Sequence, residues 1–239
     1  MEGIIHSIES LAAVDGEGLR CSVFLAGCPL HCAYCHNPDM WNMEGKSVSS
    51  EELVRKIARF RPYFGKNGGV TFSGGEPLLQ APFLRSVAEL LLVEKIPYIL
   101  DTSGQVALSD DVLFLFRNCQ SVLLDLKFWD DASYRTYTGQ GIQKTLDTLK
   151  VLDDLGVKTV LRTVVIPGVN DTEDHIRSYL NLFQNVSCVS SYELLPFHTM
   201  GFFKYEKLGI NNPFSDKKAL PQEQLNRLQS FADQIRKNG

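Results

Sequence analysis

Short apolar runs alternate with amphipathic segments from one end of the chain to the other. The runs at 20–26, 69–72, 97–102, 121–127, 158–166 and 188–196 have the length and residue types of strands. Helical patterns lie between them. Ser49 with Glu52 forms a capping box that opens a helix to about residue 64. A Leu/Val stripe marks 81–94, and shorter patterns mark 110–117 and 173–183. A helix from about 144 to 155 stops at Gly156, which suits a C-terminal cap. Pro221 starts a C-terminal helix, about 221–237. Such alternation predicts right-handed βαβ units and an α/β fold with parallel strands. Six strands are too few for a closed eight-stranded barrel. The pattern leaves a flat doubly wound sheet or a curved sheet, and the expectation carried forward is a laterally open, TIM-like partial (β/α)6 barrel. No repeat, low-complexity segment or linker divides the chain, so one domain over 1–239 is expected.

In either parallel arrangement ligands sit beyond the carboxyl ends of the strands. The unusual polar residues fall at or just past those ends: the Cys loop at 28–35, Gly74-Gly75-Glu76-Pro77, Asp101-Thr102-Ser103, Asp125 and Lys127, Arg162 and His198. They would line one cavity. Cys28, Cys32 and Cys35 are close enough in sequence to converge on one inorganic centre, and thiolates are the soft ligands of iron–sulfur clusters and zinc. A four-iron cubane held by three thiolates keeps one iron open to a small molecule. A structural zinc site is the alternative, with His31 or His36 as fourth ligand.

Composition narrows the classes. Among 239 residues, 44% are hydrophobic and 22% charged, as in ordinary globular proteins. The net charge of −4 carries no footprint for nucleic acid. No apolar run can span a bilayer, since Leu90-Leu91-Leu92-Val93 is closed by Glu89 and Glu94. The first residues show no basic region followed by a long apolar run. A cytoplasmic protein is expected, without membrane or nucleic-acid partners. In that compartment clustered cysteines read as metal-binding or redox groups, and the scattered Cys21, Cys119 and Cys188 as inert buried thiols.

The Cys-x3-Cys-x2-Cys loop followed by Gly-Gly-Glu-Pro after the next strand resembles the radical S-adenosylmethionine (SAM) superfamily. Further stretches narrow the resemblance to its glycyl radical enzyme activases: Ile5-His6-Ser7-Ile8-Glu9-Ser10, Val14-Asp15-Gly16, Cys35-His36-Asn37, Leu100-Asp101-Thr102-Ser103-Gly104, Leu124-Asp125-Leu126-Lys127, Val165-Ile166-Pro167-Gly168 and Leu194-Leu195-Pro196-Phe197-His198. Many activases carry an extra ferredoxin-like insert with more cysteines, and this chain has none. One departure is Glu17, where the family pattern Asp-Gly-Pro-Gly has Pro; in the family that stretch lies near where the protein substrate enters.

The resemblance implies a 4Fe-4S cluster on Cys28, Cys32 and Cys35, with the fourth iron taking the amino and carboxylate groups of SAM. Reductive cleavage of SAM would yield a 5′-deoxyadenosyl radical that removes an α-hydrogen from a glycine of a partner enzyme. The implied partners are a glycyl radical enzyme, of the pyruvate formate-lyase type, and flavodoxin or ferredoxin as electron donor, with the protein a monomer. Gly74 and Gly75 would let the backbone approach the methionine amino group, with Glu76 shaping the turn. Lys127 would meet the SAM carboxylate and Arg162 the methionine portion; ion pairs with Asp125 or Glu76 are the structural alternative for both. His198 and Asn37 would contact the nucleoside, and Tyr34 would shield the cluster, pack on adenine or serve as plain packing. Asp101, Asp125, the Thr102 hydroxyl and the Leu123 carbonyl would form a monovalent-cation site for K+ or Na+. The loop at 201–212 is either a lid or an ordinary surface loop. Two other readings compete: a radical SAM enzyme acting on a small molecule, and a zinc-stabilised or electron-carrying protein without catalysis.

Overall fold

The structure, a computed structural model, describes residues 1–13 and 15–238. Val14, from the Val14-Asp15-Gly16 stretch, and Gly239, the end of the expected domain, lie outside the described residues. The chain opens with an antiparallel pair, β1 (Glu2–Ala12) and β2 (Arg20–Leu25), and the short β3 (Lys46–Ser49) flanks β1 on its other side. There follow α1 (Ser50–Ala58), β4 (Gly69–Gly74), α2 (Ala81–Val93), β5 (Tyr98–Thr102), α3 (Asp110–Asn118) and β6 (Ser121–Asp125). The second half runs α4 (Asp131–Thr138), α5 (Gln143–Asp154), β7 (Thr159–Val165), α6 (Glu173–Phe183), β8 (Val189–Pro196), α7 (Phe202–Leu208) and α8 (Gln222–Asn238). The sheet order is β3-β1-β2-β4-β5-β6-β7-β8. From β2 to β8 every neighbouring pair is parallel, which gives the six expected strands.

The sheet ends in two edges, β3 and β8, so it is laterally open. It is also curved. Ser191 and Glu193 of β8 line the same cavity as Gly16 and Glu17 of the β1–β2 loop, and Glu17 reaches Lys158 before β7 at 3.3 Å. A flat sheet of this order would hold those elements apart. Along β7, Thr159, Leu161, Thr163 and Val165 are buried beneath the helices, while Val160, Arg162 and Val164 face a lumen that is not filled. Among the described residues no helix is long and apolar enough to cross a membrane.

Three local features depart from the expectations. The first helix ends at Ala58, and a separate 3-10 turn covers Arg61–Tyr63, because Pro62 has no N–H to continue the ladder. The cap itself holds: Ser49 accepts from the Glu52 N–H at 3.1 Å, although the Glu52 carboxylate turns to Lys56 at 2.8 Å rather than back to the cap. The helix α7 stands where a lid or surface loop was expected, and α4 where no element was expected. Both are short, and α4 is held by its ends, with Asp130 accepting from the Ser133 N–H and Gly139 closing in the left-handed region at φ 81°.

Candidate functional site

The Cys loop leaves β2 and is pinned on both sides by its own backbone. Cys28 N–H donates to Trp41 O at 3.0 Å, His31 N–H to Thr138 O at 3.0 Å and Ala33 N–H to Tyr137 O at 2.8 Å. The three thiols are thus fixed between the turn at Pro38–Met40 and the end of α4. Cys32 is buried, and Cys28 and Cys35 are partly buried. Burial pushes the Cys28 thiol up to about 12 and raises Cys32 and Cys35 as well. Only a bound cation stabilises such groups as thiolates near neutral pH. Cys21 and Cys119, also raised to about 12 by burial, have no such setting.

All three cluster-loop thiols open onto a cavity of about 230 Å³. Tyr34 and Asn37 from the same loop, Gly74 at the end of β4 and Gly75 after it, Asp101 and Thr102 of β5, Asp125 at the end of β6 and Lys127 just past it line it too. The structure therefore brings together most of what the strand ends promised. Neighbouring turns explain the glycines. A Cβ on Gly75 would stand 2.2 Å from the Gly27 carbonyl, and one on Gly74, at φ 119°, would stand 2.3 Å from the Leu25 carbonyl. Both glycines are demanded by the backbone that launches the Cys loop.

Glu76 shapes the turn, as expected, but it does not line the cavity, which corrects its other expected role as a cofactor-binding residue. It is fully buried, and its carboxylate accepts from the Leu78 N–H (3.1 Å), the Thr102 hydroxyl (2.6 Å), and the N–H (2.9 Å) and hydroxyl (2.6 Å) of Ser103. It clamps the Gly-Gly turn to the end of β5 and does not reach the cavity. Four hydrogen bonds oppose the rise in pKa that burial imposes.

The floor of the cavity is a charge network. The Arg162 guanidinium on β7 bonds Asp101 and also Asp125, the latter at 2.8 Å, and Lys127 holds the other Asp125 oxygen at 2.7 Å. Ser73 donates to Asp101 at 2.7 Å. Burial raises Asp101. Asp125 is equally desolvated, but Arg162 and Lys127 together pull it down. Burial works against the Lys127 charge, yet Asp125 outweighs it and the net shift is upward. Arg162 thus sits beneath the cavity, not on its wall. Leu123 is the ladder partner of Asp101, and its side chain faces a second cavity on the far side of Arg162. The ion pairs expected as the structural alternative are present, with Asp125 for both cations and not Glu76.

His198 also stands one layer back. It meets His36 edge to face at 4.4 Å, and His36 lines the cavity. The His198 Nδ1 is buried without a partner, as are the Tyr34 hydroxyl and the Trp41 indole nitrogen. From sequence, Met40-Trp41 and Phe202-Phe203 read as core or lid packing, and Lys204 has no role. Trp41 lines the cavity, and Lys204 of α7 donates to the Asn37 side chain at 2.6 Å and Asp39 at 3.1 Å. Tyr205 on the same helix donates to the Cys35 carbonyl at 3.0 Å. The expected loop is therefore a helical strap tied to the Cys loop. Its signal was the run Phe202-Phe203-Lys204-Tyr205, whose aromatic content reads equally well as packing.

Among the described residues no three His, Cys, Asp or Glu side chains are placed to share a single metal ion. His31 is stacked on Trp41 at 4.6 Å and His36 meets His198 edge to face at 4.4 Å. Thiolates of a cubane ligate separate irons and stand further apart than ligands of one zinc.

The family model described as the Radical SAM superfamily matches residues 22–180. The pyruvate formate-lyase-activating enzyme of Clostridium pasteurianum is 42% identical over 236 residues, 98% of each chain. This chain belongs to the radical SAM superfamily and to that activating-enzyme family. The Staphylococcus aureus protein of the same name is 36% identical over 228 residues, covering 92% of this chain and 90% of its own. Solved structures carry the same fold. Streptococcus suis SuiB bound to S-adenosylmethionine has a TM-score of 0.70 at 14% identity, over 89% of this radical SAM chain and 46% of that one. A domain of pyruvate-formate lyase-activating enzyme from Bacteroides vulgatus has a TM-score of 0.58 at 23% identity, over 70% and 94%. A 4Fe-4S cluster and SAM are the cofactors of the superfamily.

Proposed function

We propose that the chain is an activase that holds a 4Fe-4S cluster on Cys28, Cys32 and Cys35, cleaves SAM there, and removes an α-hydrogen from a glycine of a partner glycyl radical enzyme of the pyruvate formate-lyase type. The observation that carries this reading is a loop with three desolvated thiols at the carboxyl ends of six parallel strands, opening onto a polar cavity. The donor set fits a cubane with one iron left for a small molecule: three soft ligands from one loop on one cavity. When bound, the cluster supplies one electron to the sulfonium of SAM, so that its S–C5′ bond breaks and the carbon fragment takes the glycine hydrogen.

The protein's own residues hold and orient. Lys127, fixed by Asp125 and facing the cavity, would take the SAM carboxylate; it is charged and desolvated, so a second anion gains from it. Arg162 acts from below by holding Asp101 and Asp125 in place. Gly74 and Gly75 leave the cavity wall without side chains, where the methionine amino group would approach. Tyr34, Asn37 and, through His36, His198 would meet the nucleoside. A K+ or Na+ ion would sit on Asp101, Thr102, Leu123 and Asp125, where the two carboxylates already meet Arg162 and Lys127. The proposed setting is a monomeric, single-domain enzyme of the cytoplasm, reduced by flavodoxin or ferredoxin.

The test is anaerobic reconstitution with iron and sulfide, then reduction with SAM present. Formation of 5′-deoxyadenosine, and then of a glycine radical on co-expressed pyruvate formate-lyase, is the expected result. Zinc retained in an anaerobic preparation with a fourth side chain closing its coordination would overturn it.

A further inference from the structure

We propose that the Trp41 indole N–H donates a hydrogen bond to the Cys35 sulfur of the bound cluster, and that this bond raises the potential at which the cluster takes its electron. The inference rests on the cluster reading above. Trp41 is held from every side. Its carbonyl accepts from the Cys28 N–H at 3.0 Å. Its ring is stacked on His31 at 4.6 Å and meets Tyr205 edge to face at 6.1 Å. Tyr205 in turn bonds the Cys35 carbonyl at 3.0 Å. So the indole and the Cys35 backbone are fastened to the same helix α7, and both Trp41 and Cys35 face the cavity.

Within that frame the Trp41 Nε1 is buried with no hydrogen-bond partner. An unsatisfied buried donor is costly, and a rigid one cannot turn to water. Tyr205 joins the ring that carries this donor to the Cys35 backbone, and Trp41 and Cys35 face the one cavity. A neutral thiol is a weak acceptor. A metal-ligating thiolate is a strong one, and a charge-assisted bond forms with little movement. Donors to the sulfurs of a cluster favour its more negative, reduced form, and so set its potential. The His31 ring on the outer face of Trp41 is exposed, so the indole is also the layer between solvent and this sulfur.

The experiment compares wild type with Trp41→Phe, which keeps a ring between His31 and Tyr205 and deletes the donor. In a redox titration followed by electron paramagnetic resonance, the variant's midpoint moves negative. The expected size is about a tenfold fall in the ratio of reduced to oxidised cluster at fixed potential, which is 59 mV for a one-electron couple. An unchanged or more positive midpoint overturns the proposal. If Trp41→Phe fails to assemble a cluster, the decision falls to wild type grown on indole-15N tryptophan. Pulsed resonance on its reduced cluster then shows a 15N coupling, and Trp129→Phe, which removes the chain's other tryptophan, retains it. A loaded, reduced protein without that coupling overturns the Trp41 role and leaves the activase reading standing. A protein that holds zinc in place of the cluster overturns both.

Discussion

The barrel buries an arginine at each end, and the two are treated in opposite ways. Where the strands begin, Arg20 is fully buried. Its guanidinium donates to the Thr71 hydroxyl (2.8 Å), the Glu17 (2.8 Å), Asn67 (3.1 Å) and Val70 (2.7 Å) carbonyls, and the Gln120 amide oxygen (3.3 Å). Every acceptor is uncharged. Burial lowers its pKa to about 10, with Glu17 and Asp15 opposing at a distance, so it stays charged at neutral pH. Where the strands end, Arg162 is bound to two carboxylates, Asp101 and Asp125. Toward the same edge of the sheet are buried polar atoms with no partner: the Tyr34 hydroxyl, Trp41 Nε1 and His198 Nδ1. The lower network is saturated, so it can only hold the β1–β2 loop against β4 and β6. The upper one carries paired charges and unspent donors, which is what a ligand site requires.

The most damaging way to break the comparison is at the lower end. Arg20→Met keeps the volume and strands five acceptors, three of them the backbone carbonyls of Glu17, Asn67 and Val70. The expected loss is about 3 kcal/mol or more, since each unsatisfied buried group costs about 1–3. For a chain of this length that is a fall of about 6–12 °C in Tm. SAM cleavage per folded molecule, assayed well below the new Tm, stays within about twofold, because nothing at the carboxyl edge touches Arg20. A variant that melts normally but loses cleavage would mean that the two ends are not separate in function.

Asp125→Asn strikes the upper network. It leaves Lys127 without its carboxylate and Arg162 with one, at a cost of about 2–3 kcal/mol, under the 3–5 of a fully buried pair. The sign with pH follows from the depressed Asp125 pKa. Its contribution is full above the unfolded value of about 3.9 and is lost as pH falls through the lower folded one. In cluster-free protein unfolded by urea, wild type therefore exceeds the variant at pH 7, and the gap begins to narrow below about pH 4 and closes only once pH falls below the depressed folded value. A gap that stays constant from pH 7 to about pH 2 would assign the loss to shape and not to charge.

These two ends also differ in how far the sequence disclosed them. The upper one was legible because its chemistry is spelled in rare residues at strand ends: three close cysteines, Gly74-Gly75, Asp101, Asp125 and Lys127. What sequence could not say was depth. Glu76 and Arg162 belong to the same stretches as true cavity residues, yet strand register and turn geometry set them one layer back. Arg20 was invisible. It heads an apolar run like any strand-flanking charge, and only the curvature of the sheet brings Asn67, Thr71 and Gln120 around it. The six parallel strands were readable from period and length, whereas β1 and β3 were not, because an antiparallel hairpin at the edge needs a partner that sequence does not name. The α4 and α7 helices escaped for the reason that short helices usually do: their stability lies in caps and tertiary contacts, not in propensity.

Glu76→Gln sharpens the comparison within the upper end, since it separates a clamp from a ligand contact. The amide keeps one acceptor oxygen but must turn an NH2 toward donors that are the Thr102 hydroxyl or Ser103, at a cost of about 1–2 kcal/mol. If Glu76 only fixes the turn, cluster content and thermal stability drop together, while the Kd for SAM in the fraction that retains cluster is unchanged. A Kd that rises with cluster content intact would return Glu76 to the cavity wall.

The smallest effect is expected at the strap. Lys204 is partly exposed, and its bonds to Asn37 and Asp39 are of the surface kind, worth under about 1 kcal/mol. Lys204→Ala should leave Tm within a few degrees. It also releases the Asn37 side-chain oxygen, which in the present geometry is held by the ammonium at 2.6 Å. Should Asn37 bind the nucleoside through that oxygen, the wild type must give up the Lys204 bond on binding, and the variant need not. The variant then binds SAM up to about fivefold more tightly, the equivalent of 1 kcal/mol. Weaker binding would instead mean that Lys204 holds Asn37 in its binding posture, so the direction of a modest change in Kd decides whether α7 restrains the site or completes it.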